Sequence, residues 1–67
     1  MNLAEQFTMY RKHKVLTLTE LAERAGVTRQ TVKNIELGKN VTIHNLIKVA
    51  NALDKRLVVE VVKKERD

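Results

Sequence analysis

The chain has no cysteine, no proline, no serine and no tryptophan, and only two glycines in 67 residues. Without cysteine there is neither a disulfide framework nor a thiolate metal site. Two glycines cannot build a Gly-rich phosphate loop, and the missing serine removes a common nucleophile. His13 and His44 stand apart in sequence, and the carboxylates form no recognisable dyad or ligand cluster. No catalytic residue, metal or cofactor is therefore expected. No apolar run approaches the ~18 residues needed to span a bilayer. The N-terminus lacks the pattern of a secretory signal, so a cytoplasmic protein with no membrane partner is expected. With no Pro-rich linker, repeat or low-complexity stretch, residues 1–67 read as one domain. A domain this small buries only ~60% of its unfolded surface and often benefits from oligomerisation.

What is present is punctuation for short helices. Asn2 with Glu5 and Thr17 with Glu20 both have the spacing of a capping box. In that motif a side chain at each end satisfies an unpaired backbone N–H at the other. The first box opens a helix with Leu3, Phe7 and Tyr10 on one face, closed by Lys12, His13 and Lys14, cations that suit the negative end of a helix dipole. The second opens a helix with Leu21, Ala22 and Ala25 inward. Gly26 sits where the chain must turn with positive φ. Thr28 then caps a helix to about Leu37, closed by Gly38, with Val32 and Ile35 inward. Thr42 caps a fourth helix, with Ile43, Leu46, Ile47, Ala50 and Leu53 inward.

Residues 17–38 thus form a helix–turn–helix unit, which places one helix on a DNA backbone and the next in the major groove. The outward residues of that second helix are Gln30, Lys33 and Asn34, with Arg29 at the edge and Thr28 at its start. Arg pairs bidentately with guanine, Gln or Asn with adenine, and Thr with bases or a thymine methyl. Thirteen Lys and Arg against eight Asp and Glu leave a net charge of +5, which suits a polyanionic partner. Any solvated helix face is rich in such residues. The capped helix–Gly–helix frame around them is what points to base readout.

The last informative segment is Arg56-Leu57-Val58-Val59-Glu60-Val61-Val62-Lys63. Its β-branched density predicts a strand over 56–63, with Leu57, Val59 and Val61 on one face. No second strand-forming run exists in the chain, and a lone strand leaves its backbone groups unpaired. The economical solution is antiparallel pairing with the same strand of a second copy through Leu57, Val58, Val59 and Val61.

The spacing resembles the Cro/repressor type of helix-turn-helix found in phage and bacterial regulators. The matching residues are Leu16, Glu20-Leu21-Ala22, Gly26-Val27-Thr28, Thr31-Val32, Ile35-Glu36, Gly38-Lys39, Leu46, Ala50 and Leu53. The resemblance implies a mainly α fold of four helices, completed here by the C-terminal strand. It implies that Thr28, Arg29, Gln30 and Asn34 contact bases or nearby phosphates, and that Lys39, Asn40 and Thr42 touch the DNA backbone. His44, in the first turn of the fourth helix, is a further backbone candidate. It also implies an ion pair between Arg11 and Glu36. Three residues depart from the pattern. Val15 replaces a usual Gly, so a differently built turn is expected there. Leu18 replaces a polar phosphate contact. Leu37 replaces a polar outer residue and is expected to pack on the following loop, the alternative being an apolar contact with DNA.

The expected activity is that of a homodimeric, sequence-specific double-stranded DNA binder on an inverted-repeat operator, acting as a repressor or autoregulator. The first alternative is an antitoxin that neutralises a cognate toxin protein and represses its own operon. A protein-interaction module with the same fold is the alternative of another class.

Overall fold

The computed structural model describes residues 1–65. Four helices are present among them: α1 (Leu3–His13), α2 (Leu18–Ala25), α3 (Arg29–Glu36) and α4 (Ile43–Ala52). Each begins at a polar cap, Asn2, Thr17, Thr28 and Thr42 in turn, whose side chain accepts from the backbone three residues on. Both capping boxes are closed. The Glu20 amide donates to Thr17 Oγ1 at 3.1 Å, and the Thr17 amide donates to Glu20 Oε1 at 2.9 Å. That second bond, followed by the one from the Thr17 hydroxyl, holds the exposed Glu20 carboxyl below its ordinary value.

All four helices stop in the same way. The amide two or three residues past the helix end reaches back five residues, across a residue in the left-handed conformation. The bonds are Leu16 to Arg11, Val27 to Ala22, Lys39 to Asn34 and Lys55 to Ala50. The left-handed residues are Val15 (φ 57°), Gly26 (φ 71°), Gly38 (φ 73°) and Asp54 (φ 58°). Two are glycines, as positive φ favours, and Asp tolerates it moderately. Val15 is the outlier. The turn after α1 is not built differently despite the missing glycine; the valine adopts the glycine-like backbone. The reason lies next door. Leu16 is 6% exposed in the core, so the chain must turn sharply to bury it.

The core consists of Phe7, Leu16, Leu21, Ala22, Val32, Ile35, Val49, Ala50 and Leu53, with no buried polar or charged residue among the described residues. α2 is its centre, packed on both α3 and α4, while α1 packs on α3. Leu21 and Val49 are fully inaccessible. The inward face of α4 is narrower than its pattern suggested. Val49, Ala50 and Leu53 are buried, whereas Ile43 is 54% and Ile47 42% exposed. Those two isoleucines lie one turn apart, on the flank of the buried stripe rather than within it.

The C-terminal segment corrects the expected strand. Residues 56–63 form no strand among the described residues. A ladder needs a second strand, and a single copy of this chain has none to offer. Leu57 packs against the core beside Tyr10, but Val58, Val59, Val61 and Val62 are 59–95% exposed. The three-residue face of Leu57, Val59 and Val61 is therefore anchored at one end only. The long axis reaches 45 Å against 20 and 19 Å across, and the radius of gyration is 12.9 Å. A compact chain of this length would have ~11 Å.

Candidate nucleic-acid interface

α3 is held by its inner face and presents its outer one. Val32 and Ile35 anchor it at 1% and 3% exposure, while Arg29, Gln30 and Lys33 are exposed and Asn34 is half-buried. A helical repeat of 3.6 residues puts Gln30, Lys33 and Asn34 on one side, with Arg29 at its edge. Gln30 Nε2 donates to Asn34 Oδ1 at 2.8 Å, so the two amides are already aligned one turn apart. The pair leaves the Gln30 carbonyl and the Asn34 amide N–H groups available for further bonds. Thr28 is more committed. Its hydroxyl accepts from the Thr31 amide at 3.1 Å and lies 2.9 Å from the Thr31 hydroxyl. Capping is its first role.

The other sequence candidates follow α3 along the chain. Lys39 and Asn40 are exposed in the α3–α4 loop, Thr42 caps α4 by accepting from Asn45 at 3.1 Å, and His44 is exposed in its first turn. Leu37 corrects the expectation of packing. It is 57% exposed and continues the stripe of Gln30 and Lys33 at the C-terminal end of α3. The dimerisation candidates Leu57, Val58, Val59 and Val61 lie in the C-terminal segment, away from α3 in sequence, and only Leu57 is packed on the body.

The position of α3 is set by an ion pair. Arg11 Nε donates to Glu36 Oε2 at 2.7 Å and Nη2 donates to Oε1 at 3.0 Å, a two-pronged contact between α1 and the last residue of α3. Arg11 Nη1 also donates to the Leu16 carbonyl at 2.9 Å, and the Thr8 hydroxyl donates to Glu36 Oε1 at 3.0 Å. The two charged side chains are only 15% and 11% exposed. The hydrogen bond to Glu36 raises the Arg11 pKa further, against the opposing effect of burial. Thr8 was missed from the sequence; its signal was its place one turn before Arg11 on the same helix face. Lys48 was also missed. Its Nζ donates to the Gly26 carbonyl at 3.4 Å, tying α4 to the turn that orients α3. At the opposite end Lys14 Nζ meets Asp54 Oδ2 at 2.5 Å and lowers that carboxyl's pKa.

This geometry is a rigidly mounted polar helix whose side chains can hydrogen-bond base edges, followed by a loop that carries the exposed Lys39. Among the described residues no helix is long and apolar enough to cross a membrane. The profile of the helix-turn-helix family matches residues 9–59. No curated protein sequence matches the chain. Among solved structures, the N-terminal DNA-binding domain of SinR from Bacillus subtilis is 39% identical, with 78% of each chain covered and a TM-score of 0.70. SinR in complex with DNA is 39% identical over 81% of this chain and 89% of that one, with a TM-score of 0.71. HipB bound to an O2 20mer is 26% identical over 91% of this chain and 86% of that one, with a TM-score of 0.76. In the SinR–SinI complex this chain spans only 55% of the chain it matches. A capped frame in sequence, the mounted polar helix in structure and this family match agree: the chain belongs to the helix-turn-helix family of DNA-binding transcriptional regulators.

Proposed function

We propose that the chain is a homodimeric, sequence-specific double-stranded DNA binder that represses transcription by occupancy in the cytoplasm. The observation that carries this is the outer face of α3. Arg29, Gln30 and Lys33 are exposed and Asn34 is aligned by Gln30, on a helix fixed by Arg11–Glu36. In this reading Thr28, Arg29, Gln30, Lys33 and Asn34 meet base edges, while Lys39, Asn40, Thr42 and His44 meet the backbone. Two copies joined through residues 56–63 place two α3 helices on successive major grooves of an inverted repeat, about 34 Å apart. SinR, solved in complex with DNA, and HipB, solved with an O2 20mer, support the same role.

Selection of bound sequences from a random DNA pool tests it, and an inverted-repeat motif is the expected result. Gln30→Ala and Asn34→Ala lose about 1–3 kcal/mol at their cognate bases and relax preference there. Lys39→Ala weakens binding to all sequences alike. A pool that stays random, or equal loss on specific and random DNA for the Gln30 and Asn34 variants, overturns base readout by α3.

A second reading has its own support. SinR has been solved with SinI, and HipB with HipA. A protein partner that binds this chain alongside DNA, such as a toxin neutralised by it, is then the second activity, and pulldown with the product of an adjacent gene tests it.

A further inference from the structure

We infer that Leu37 reads a methyl group: in the major groove it packs on the 5-methyl of a thymine and adds that base to the sequence the chain selects. The inference rests on base readout by α3, proposed above, and gives that helix a contact that hydrogen bonds do not supply. Position is its first support. At 3.6 residues per turn Leu37 falls about 20° from Gln30 and about 40° from Lys33 around α3, and about 140–160° from Val32 and Ile35. It therefore stands between two polar residues of the outer stripe, opposite the buried pair. The backbone holds it there. Its amide donates to the Lys33 carbonyl at 2.9 Å, and the turn through Gly38 at φ 73° follows at once.

Exposure is the second. Leu37 is 57% exposed and takes no part in the packing around the core. The other exposed large apolar side chains among the described residues, Met1, Leu3, Val15, Ile43, Ile47 and the valines of the tail, lie outside α3. Arg29, Gln30, Lys33 and Asn34, all polar, make up the rest of the outer stripe. An isobutyl group among them faces whatever those four face.

The chemistry of the groove selects the contact. Its wall offers hydrogen-bond donors, acceptors and a single kind of apolar group, the thymine methyl. Leucine set on a donor or acceptor displaces water without replacing its bond, which costs affinity. Leucine set on the methyl removes apolar surface from water on both sides, at about fourfold in affinity for each methyl-sized group buried. The methyl is thus the base-edge group that this side chain favours. Reach then places the base. Seven residues of 1.5 Å rise carry Leu37 about 10 Å along α3 from Gln30, or about three base-pair steps of 3.4 Å. The thymine lies within that distance of the base that Gln30 reads.

Removing only the methyl tests it. The operator recovered from the random pool is remade with deoxyuridine replacing each thymine in turn, and binding of the parent chain and of Leu37→Ala is measured on every duplex. Deoxyuridine at one thymine per half-site is expected to weaken the parent chain about fourfold and to leave Leu37→Ala unaffected. With a C·G pair at that position instead, 5-methylcytosine should bind the parent chain more tightly than cytosine by about the same factor, and Leu37→Ala equally. Leu37 is exposed, so the variant keeps its fold, and an unchanged melting midpoint checks that. A loss in Leu37→Ala that is the same on thymine and uracil duplexes sets the side chain against the sugar and overturns methyl reading. So does a Leu37→Ala that binds every duplex as the parent chain does, or a parent chain indifferent to uracil throughout. A pool that stays random instead overturns readout by α3 as a whole, which tells that failure apart from this one.

Discussion

The helical body and the segment that follows it are built from similar apolar residues and end in opposite conditions. In the body, residues 2–53, each helix contributes to one core, and Leu21 and Val49 are completely inaccessible. In the tail, four valines between residues 58 and 62 are 59–95% exposed. The difference is one of period. A helix satisfies its own backbone hydrogen bonds and needs only side-chain partners, which three other helices supply. A β-branched run needs backbone partners as well, and one copy of this chain has none. The body closes its own core; the valines of the tail stay exposed in a single copy.

The comparison can be broken most severely at the centre of the body. Leu21→Ala should cost about 3–5 kcal/mol, because it removes a fully buried side chain from the helix that packs on both α3 and α4. A stability of about 3–10 kcal/mol is usual at this size, so denaturant titration should find much of the protein unfolded. A loss below 1 kcal/mol would mean that α2 is not the centre of the core.

Next in size is the Arg11–Glu36 pair. Arg11→Ala or Glu36→Ala should each cost about 2–4 kcal/mol, since each leaves the other charge nearly buried and unpaired. Arg11→Met combined with Glu36→Leu should recover most of that stability while weakening DNA binding, because α3 loses its fixed position. A double variant that binds DNA normally would show the pair to be irrelevant to the mounting of α3.

A smaller effect, of opposite sign, is expected at Val15. Val15→Asn should stabilise the body by about 1 kcal/mol by relieving left-handed strain at a residue 85% exposed, where no packing is lost. Thermal melting should rise by about 4–8 °C for a domain this small. An unchanged or lower midpoint would show that the turn relaxes around the valine at no cost.

The smallest effect on the body sharpens the comparison most. Val59→Pro should change helical content and its unfolding midpoint by less than about 0.5 kcal/mol when measured at concentrations too low for association. It should nonetheless weaken dimerisation and cooperative binding to an inverted repeat, because it removes a ladder donor. A destabilised body would show that the tail contributes to the core beyond Leu57.

How far these features could be read in advance follows the range of the interactions involved. The four caps, both capping boxes and the glycine turns at Gly26 and Gly38 were legible because each is a bond between residues at most five apart. The outer face of α3 was legible for the same reason, since helical period alone separates Gln30, Lys33 and Asn34 from Val32 and Ile35. Val15 was misread because the residue type argues against the conformation that the burial of Leu16 imposes. Ile43 and Ile47 were misplaced because a 3.6-residue stripe does not say how wide a neighbouring helix will cover it. Leu37 was expected against the loop, yet it stands exposed on the outer face of α3.

By itself, then, the sequence determined where each helix begins and ends and which residues face away from the core, through bonds and periods that span a turn or two. The tertiary structure decided what those elements meet. It brought Thr8, Arg11 and Glu36 together across 25 and more residues, joined Lys48 to the Gly26 carbonyl, forced Val15 into a left-handed turn and left the valines of the tail bare. The reason is physical: a side chain's local preferences act within its own helix, whereas burial, pairing and strain depend on the partner that the folded chain places opposite it.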